Sequence, residues 1–253
     1  MMNLRRFWTW LSIDATYVNL FLAWFISGTD VVKSWLPQKF AVPIIITMIW
    51  VTRFGTVLAV VAFRQREKYK RIALQEKLIV TYLRRLSAVL GNGYRVNVMV
   101  LGKDRYLRIR WHRGRFSASE LKLAWSAGGK DGLIEGCCGL AVSDGGPVSG
   151  DWTPYKAAQF KEFRRPDGST PWGINEKQLP AIRNVGSVLA MPLPGPKNPA
   201  KAVGCLNVDS KLPLSGSGLD QERVMDLCMP YAAPLGILVS SVRRFERDAE
   251  KDR

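Results

Sequence analysis

The sequence predicts an α+β domain, an antiparallel sheet flanked by helices, preceded by two transmembrane helices. Three observations carry this. Apolar residues crowd into the first 63 positions, while charge dominates from Arg64 onward. Short runs of alternating or continuous apolar residues, separated by Gly- and Pro-rich turns, follow in the second part. A helical period of apolar residues stands at each end of that second part.

The first predicted span covers residues 7–26 and is interrupted by Asp14; the second, residues 40–63, carries one charge, Arg53. About 20 apolar residues suffice to cross a hydrocarbon core as a helix. Arg5 and Arg6 precede the first span and a basic run from Arg64 to Arg71 follows the second, whereas the loop between holds only Asp30, Lys33 and Lys39. The excess of Lys and Arg puts both ends on the cytoplasmic side, a hairpin in the inner membrane with its soluble domain inside the cell. The basic run also suits anionic lipid headgroups. Asp14 and Arg53 fall at similar depths, about 10 and 15 Å from the cytoplasmic face at 1.5 Å per residue, and form a candidate intramembrane charged pair. The alternatives for the first segment are a cleaved signal peptide and an interfacial helix.

Residues 64–245 make the predicted soluble domain and 246–253 a charged tail. Ile72, Leu74, Leu78, Ile79, Tyr82, Leu83, Leu86 and Leu90 form one helical stripe, stopped by Gly91 to Gly93. Tyr94–Leu101 and Tyr106–Trp111 read as a hairpin around Gly102 to Arg105. Ser117–Ser126 fits a short helix, and the small-residue run Gly132–Val142 reads as a strand. Trp152–Pro180 is a polar insert. Val185–Leu193 and Ala202–Asp209 are two further strands, and a last helix capped by Asp220 continues to about Phe245.

A charge of +16 and a sequence pI near 10.0 point to an anionic neighbour. Metal and nucleophile chemistry find little footing: the chain has a single histidine, His112, and four cysteines without a CxxC pair. Neither a resident cofactor nor enzymatic activity is expected, and DNA is a poor partner for a domain held against a membrane. Cys137, Cys138, Cys205 and Cys228 are expected to be reduced structural thiols.

Gly136-Cys-Cys-Gly139-Leu-Ala141 followed by Gly145-Gly-Pro-Val148 and Asp151, then Ser187 to Leu193, then Val203-Gly-Cys-Leu-Asn-Val-Asp-Ser210 occur in the order and spacing of the phrases found in GAF domains. The region of about 65–245 thus resembles that family. The resemblance implies a GAF-like sheet flanked by helices, with a ligand cavity between one sheet face and the insert, and leaves the ligand open. The cyclic-nucleotide motif of phosphodiesterase GAF domains is only partly echoed by Asn207, Lys211, Asp220 and Glu222. The spaced cysteines of the free methionine sulfoxide reductase branch are missing, since Cys137 and Cys138 are adjacent.

Candidate ligand-binding residues are Trp152, Tyr155, Phe160, Arg164 and Arg165 of the insert, Arg108 and Arg110 on the second strand, and Asn207. Rings stack on a base and arginines grip phosphate, so this mixture suits a nucleotide. A two-residue strand period sets Arg108, Arg110 and His112 on one face, which is either the cavity side or a charged sheet border. The expected function is a membrane-anchored sensor or effector. A small anion, such as a cyclic nucleotide or oligonucleotide second messenger, would act through the Arg64–Leu90 helix on the spans, a layout that resembles membrane effectors of bacterial antiviral defence. Homodimers or higher homo-oligomers are expected. The alternatives are a ligand-free GAF-like dimerisation scaffold and, last, a membrane-tethered redox enzyme.

Overall fold

The structure is a computed structural model that describes residues 38–128, 132–153, 171–174, 178 and 183–251. The first predicted span, Asp14, and the insert residues Tyr155, Phe160, Arg164 and Arg165 lie outside the described residues. Two compact units divide the chain, Met1–Lys68 and Tyr69–Arg253. The helix α1, Gln38–Leu90, contains the second predicted span. Within that stretch Trp50, Phe54 and Phe63 are 71%, 66% and 64% exposed, and Arg53 is exposed as well.

The second unit is built on six antiparallel strands: β1 Tyr94–Leu101, β2 Tyr106–Arg113, β3 Ala124–Ser126, β4 Val148–Asp151, β5 Ser187–Pro194 and β6 Ala202–Ser210. Their order across the sheet is β3-β2-β1-β6-β5-β4. Short helices α2 (Ala118–Lys122), α3 (Gly136–Asp144) and α4 (Leu214–Ser217) precede the closing helix α5, Glu222–Lys251. From Tyr94 to Val100 of β1 and from Gly204 to Ser210 of β6, the two central strands alternate between two buried faces. On one face Val96, Val98, Leu206 and Val208 meet Ile79, Leu83 and Leu86 of α1 and Cys228, Leu235 and Val239 of α5. On the other, Met99 and Cys205 meet Cys137, Cys138, Ala141 and Val142 of α3. The sheet is therefore the middle layer of three.

The stripe predicted on α1 survives with two exceptions. Leu74 and Leu78 are exposed, and the remaining members pack on the helix-side core. Among the described residues one helix, Glu222–Arg247 within α5, is long and apolar enough to cross a membrane. Its Val224, Cys228, Ala232, Leu235, Val239 and Val242 lie in the core, which accounts for its apolar character.

Two elements differ from the sequence expectation. The run Gly132–Val142 is not a strand: from Gly136 it is α3, closed by Gly145 in the left-handed conformation (φ 74°) whose N–H returns to the Ala141 carbonyl. Its glycines serve close approach. A Cβ on Gly139 would stand 2.3 Å from the Ser126 carbonyl oxygen, so the helix lies directly against β3. A short apolar run has no decisive period. Ser117–Ser126, expected as one helix, splits into α2 and the edge strand β3, because a capping box formed by Ser117 and Glu120 starts a helix that ends at Leu123.

Candidate functional site

A β-bulge decides which side chains reach the cavity. Val98 of β1 pairs with Trp111 of β2, yet Met99 pairs with Ile109, so Arg110 is an extra residue in β2. Before the bulge Leu107 and Ile109 face the α3 side; after it Trp111 faces the α1/α5 side. The uninterrupted period expected for Arg108, Arg110 and His112 is therefore broken. Arg110 reaches the two long helices, donating from Nη1 to Glu246 Oε2 (2.8 Å) and from Nη2 to Glu76 Oε1 (3.0 Å). Arg108 bonds Asp104 in its own hairpin (2.6 Å) with both partners about half exposed. Neither arginine lines the cavity described below. His112 stands opposite Asn97 in the register and against the Phe116 ring, 5.1 Å between centroids.

The cavity lies between the α3 side of the sheet and the segments β3–α3 and β4–β5. Its floor is a cross-strand ladder on β1 and β6, Arg95 opposite Asp209 and Asn97 opposite Asn207. Trp125, Trp152, Phe116 and Ile109 make apolar walls, and Cys137 and Cys138 close one side. Trp152 meets Trp125 edge to face and stacks on Trp172, both at 6.3 Å. With its mouth the empty volume is about 530 Å³. Trp152 and Asn207, both expected from sequence, line this cavity.

Arg95, Glu120 and Asp209 were not anticipated. The Arg95 guanidinium donates from Nε to Asp209 Oδ1 (2.5 Å) and from Nη1 to Glu120 Oε1 and to the Arg115 carbonyl (both 2.9 Å). It also lies 4.3 Å over the Phe116 ring. Asp209 is 3% exposed. Burial pushes its carboxyl up to about 6, against the downward pull of Arg95 and with a further push from Glu120. Glu120 is held below the usual carboxylate range, where the Ser117 and Arg95 hydrogen bonds overcome its desolvation. Its neighbours keep Arg95 above its ordinary value despite burial.

Two polar groups mark the middle of the floor. Cys138 Sγ donates to Asn207 Oδ1 at 3.1 Å. Asn97, 1% exposed, has a buried Oδ1 with no hydrogen-bond partner among the described residues. An unmet acceptor of this kind is uncommon in a packed interior. The thiols offer little reactivity: burial raises Cys137 above the ordinary thiol range, and bonding to Cys205 together with burial raises Cys138. No cluster of His, Cys, Asp or Glu among the described residues fits a metal ion.

The cavity thus lies within an α+β domain built on an antiparallel sheet. No family model matches the chain, and no curated protein matches it. Solved structures resemble it at low identity. The GAF domain region of a candidate membrane protein from Geobacter sulfurreducens PCA is 18% identical, with 70% of this chain and 98% of that chain covered and a TM-score of 0.47. The GAF domain of a two-component sensor histidine kinase from Bacillus halodurans is 15% identical, covering 68% and 97%, TM-score 0.45. A type II free methionine-R-sulfoxide reductase from Thermoplasma acidophilum is 14% identical, covering 67% and 94%, TM-score 0.46. Scores of this size leave the functional reading to the chain's own residues.

Proposed function

We propose that the chain is a membrane-anchored sensor whose GAF-like domain binds a small molecule between the β1–β6 floor and α3. The observation that carries the reading is the buried, unmet Asn97 oxygen in an aromatic-walled cavity. The sequence phrases at Gly136–Asp151, Ser187–Leu193 and Val203–Ser210 supply α3 with β4, β5 and β6, the elements around it. Anchoring is supported by the exposed Trp50, Phe54 and Phe63 on α1 and by the basic run that follows them. The spans would form a hairpin with both ends cytoplasmic, Asp14 facing Arg53, and lipid as partner. A nucleotide-type anion, the ligand expected from sequence, loses Arg108 and Arg110 and rests on the insert cations Arg164 and Arg165.

The test has two arms. Expressed in bacteria, the chain should sediment with membranes and resist carbonate extraction. Purified in detergent, it should be screened by thermal unfolding against small metabolites and nucleotides. A ligand at 100 times its Kd adds about 2.7 kcal/mol, which raises the midpoint by several degrees. A soluble chain sinks the anchor; a screen without any shift sinks the sensor. The dimerisation-scaffold alternative is supported by Leu74 and Leu78 of α1 and Met229 and Ile237 of α5, all exposed. It requires a stable dimer that no ligand perturbs.

A further inference from the structure

The charge inside the cavity restricts what can enter. Three charged side chains line it among the described residues, Arg95, Glu120 and Asp209, with a sum of one negative charge. The single cation among them is already paired with both carboxylates. Arg95 spends Nε on Asp209 and Nη1 on Glu120 and the Arg115 carbonyl, and one face of its guanidinium is covered by Phe116. A phosphate or carboxylate entering here would meet two carboxylates and a cation of the floor already paired with both. The unmet group at the centre is an acceptor, Asn97 Oδ1. Beside it, Asn207 Oδ1 accepts from Cys138. Trp125 and Trp152 present aromatic surface, whose faces attract positive charge and N–H groups.

Resting on the small-molecule reading above, we infer that the cavity selects a compact organic N–H donor, neutral or cationic (an amide or an ammonium), with Asn97 Oδ1 as its acceptor, and rejects phosphate-type anions. The empty volume of about 530 Å³, mouth included, leaves room for such a compact group. Asn97 is then the residue that sets specificity.

The full chain in detergent is tested with four probes at millimolar concentration: ethylammonium, acetamide, inorganic phosphate and cyclic GMP. Binding is followed by saturation-transfer NMR, with unfolding temperatures alongside. Ethylammonium and acetamide should bind, and Asn97→Leu should weaken both by about tenfold or more, the worth of one buried hydrogen bond. Asn97→Leu should unfold at an equal or higher temperature than the wild type, because it removes a buried acceptor that nothing meets. Asn97→Asp keeps an acceptor and adds negative charge, so it should hold ethylammonium at least as tightly. Phosphate or cyclic GMP binding that Asn97→Leu abolishes would keep the cavity and overturn the ligand class. Silence from all four probes would overturn the cavity reading and this inference together. A fall in the unfolding temperature of Asn97→Leu would show that the oxygen has a partner, and would overturn the specificity role.

Discussion

Replacing Asp209 by Asn tests whether burial or pairing governs the charged end of the cavity. Asp209 sits 3% exposed on β6 with its carboxylate 2.5 Å from Arg95 Nε. An ion pair alone would depress the carboxyl, yet burial raises it from 3.8 to about 6. At about 1.4 kcal/mol per pH unit, that gap is worth about 3 kcal/mol. Because the folded value lies above the unfolded one, this stability is fully present below pH 3.8 and is lost as pH rises through about 6. Between pH 7 and pH 5 the wild type should regain about 1.4 kcal/mol. Glu120 works in the opposite sense, since its folded value is lowered, but its stabilisation disappears only as pH falls below the ordinary carboxylate range. The amide introduced by Asp209→Asn keeps an oxygen for Arg95 and does not titrate. Urea denaturation of both proteins at pH 5, 6 and 7, followed by near-ultraviolet circular dichroism, reads the difference. For a slope of about 2 kcal/mol per molar, the wild-type midpoint should move up by about 0.7 M relative to the variant on going from pH 7 to pH 5. Parallel pH profiles would refute the buried-carboxylate reasoning. A wild type that instead gains on the variant as pH rises would mean that Arg95 overcomes desolvation.

Other perturbations probe the frame around the site. Gly204→Ala would put a Cβ 2.2 Å from the Met99 carbonyl oxygen across the β1–β6 pair; the strand must shift, and a loss of about 1–3 kcal/mol in denaturant titration is expected. Arg110→Gln breaks the contacts to Glu76 and Glu246, whose side chains are 37% and 36% exposed. Solvent limits the global cost to about 1 kcal/mol or less, while hydrogen exchange at the C-terminal end of α5 should quicken. All four cysteines are buried, and burial pushes Cys228 up to about 12. Ellman's reagent should therefore titrate none of them until the protein unfolds; a thiol that reacts within seconds in the folded state would reopen the redox reading.

What was legible in the sequence follows the strength of each periodic signal. β1 and the stretch of β6 from Gly204 onward alternate regularly, and the expected bounds of both strands come within a residue of those observed. α1 was legible for the same reason. α3 was not, because Gly136, Gly139 and Ala141 are small for close packing on β3 rather than for any period. Trp152 and Asn207 were found through their chemistry and their place in a known phrase. Asn97 and Arg95 sit in an ordinary-looking strand, and only the register with Asn207 and Asp209 makes them a floor. The Val203–Ser210 phrase held the available clue, since two polar residues, Asn207 and Asp209, recur at the strand period inside an apolar run.

The bulge shows how a single residue separates two roles on one strand. Were β2 regular, Arg110 would share a parity with Arg108 and His112, and all three would crowd one face. Ile109 lines the cavity while its immediate neighbour holds Glu76 of α1 and Glu246 of α5, and the bulge sets Trp111 on the helix side as well. The strand segment that lines the cavity is thus covalently continuous with a side chain that bonds both long helices. A ligand that shifts the backbone at Ile109 would carry Arg110 with it, because the peptide plane between them is rigid. If the domain signals, the Glu76–Arg110–Glu246 bridge is where a change in the cavity becomes a change in helix contacts. Arg110→Gln should then leave the affinity for any cavity ligand within about twofold, yet abolish the ligand-induced change in hydrogen exchange along residues 72–90. Retention of that change in the variant would place the route elsewhere, through Met99 and the β1–α1 core.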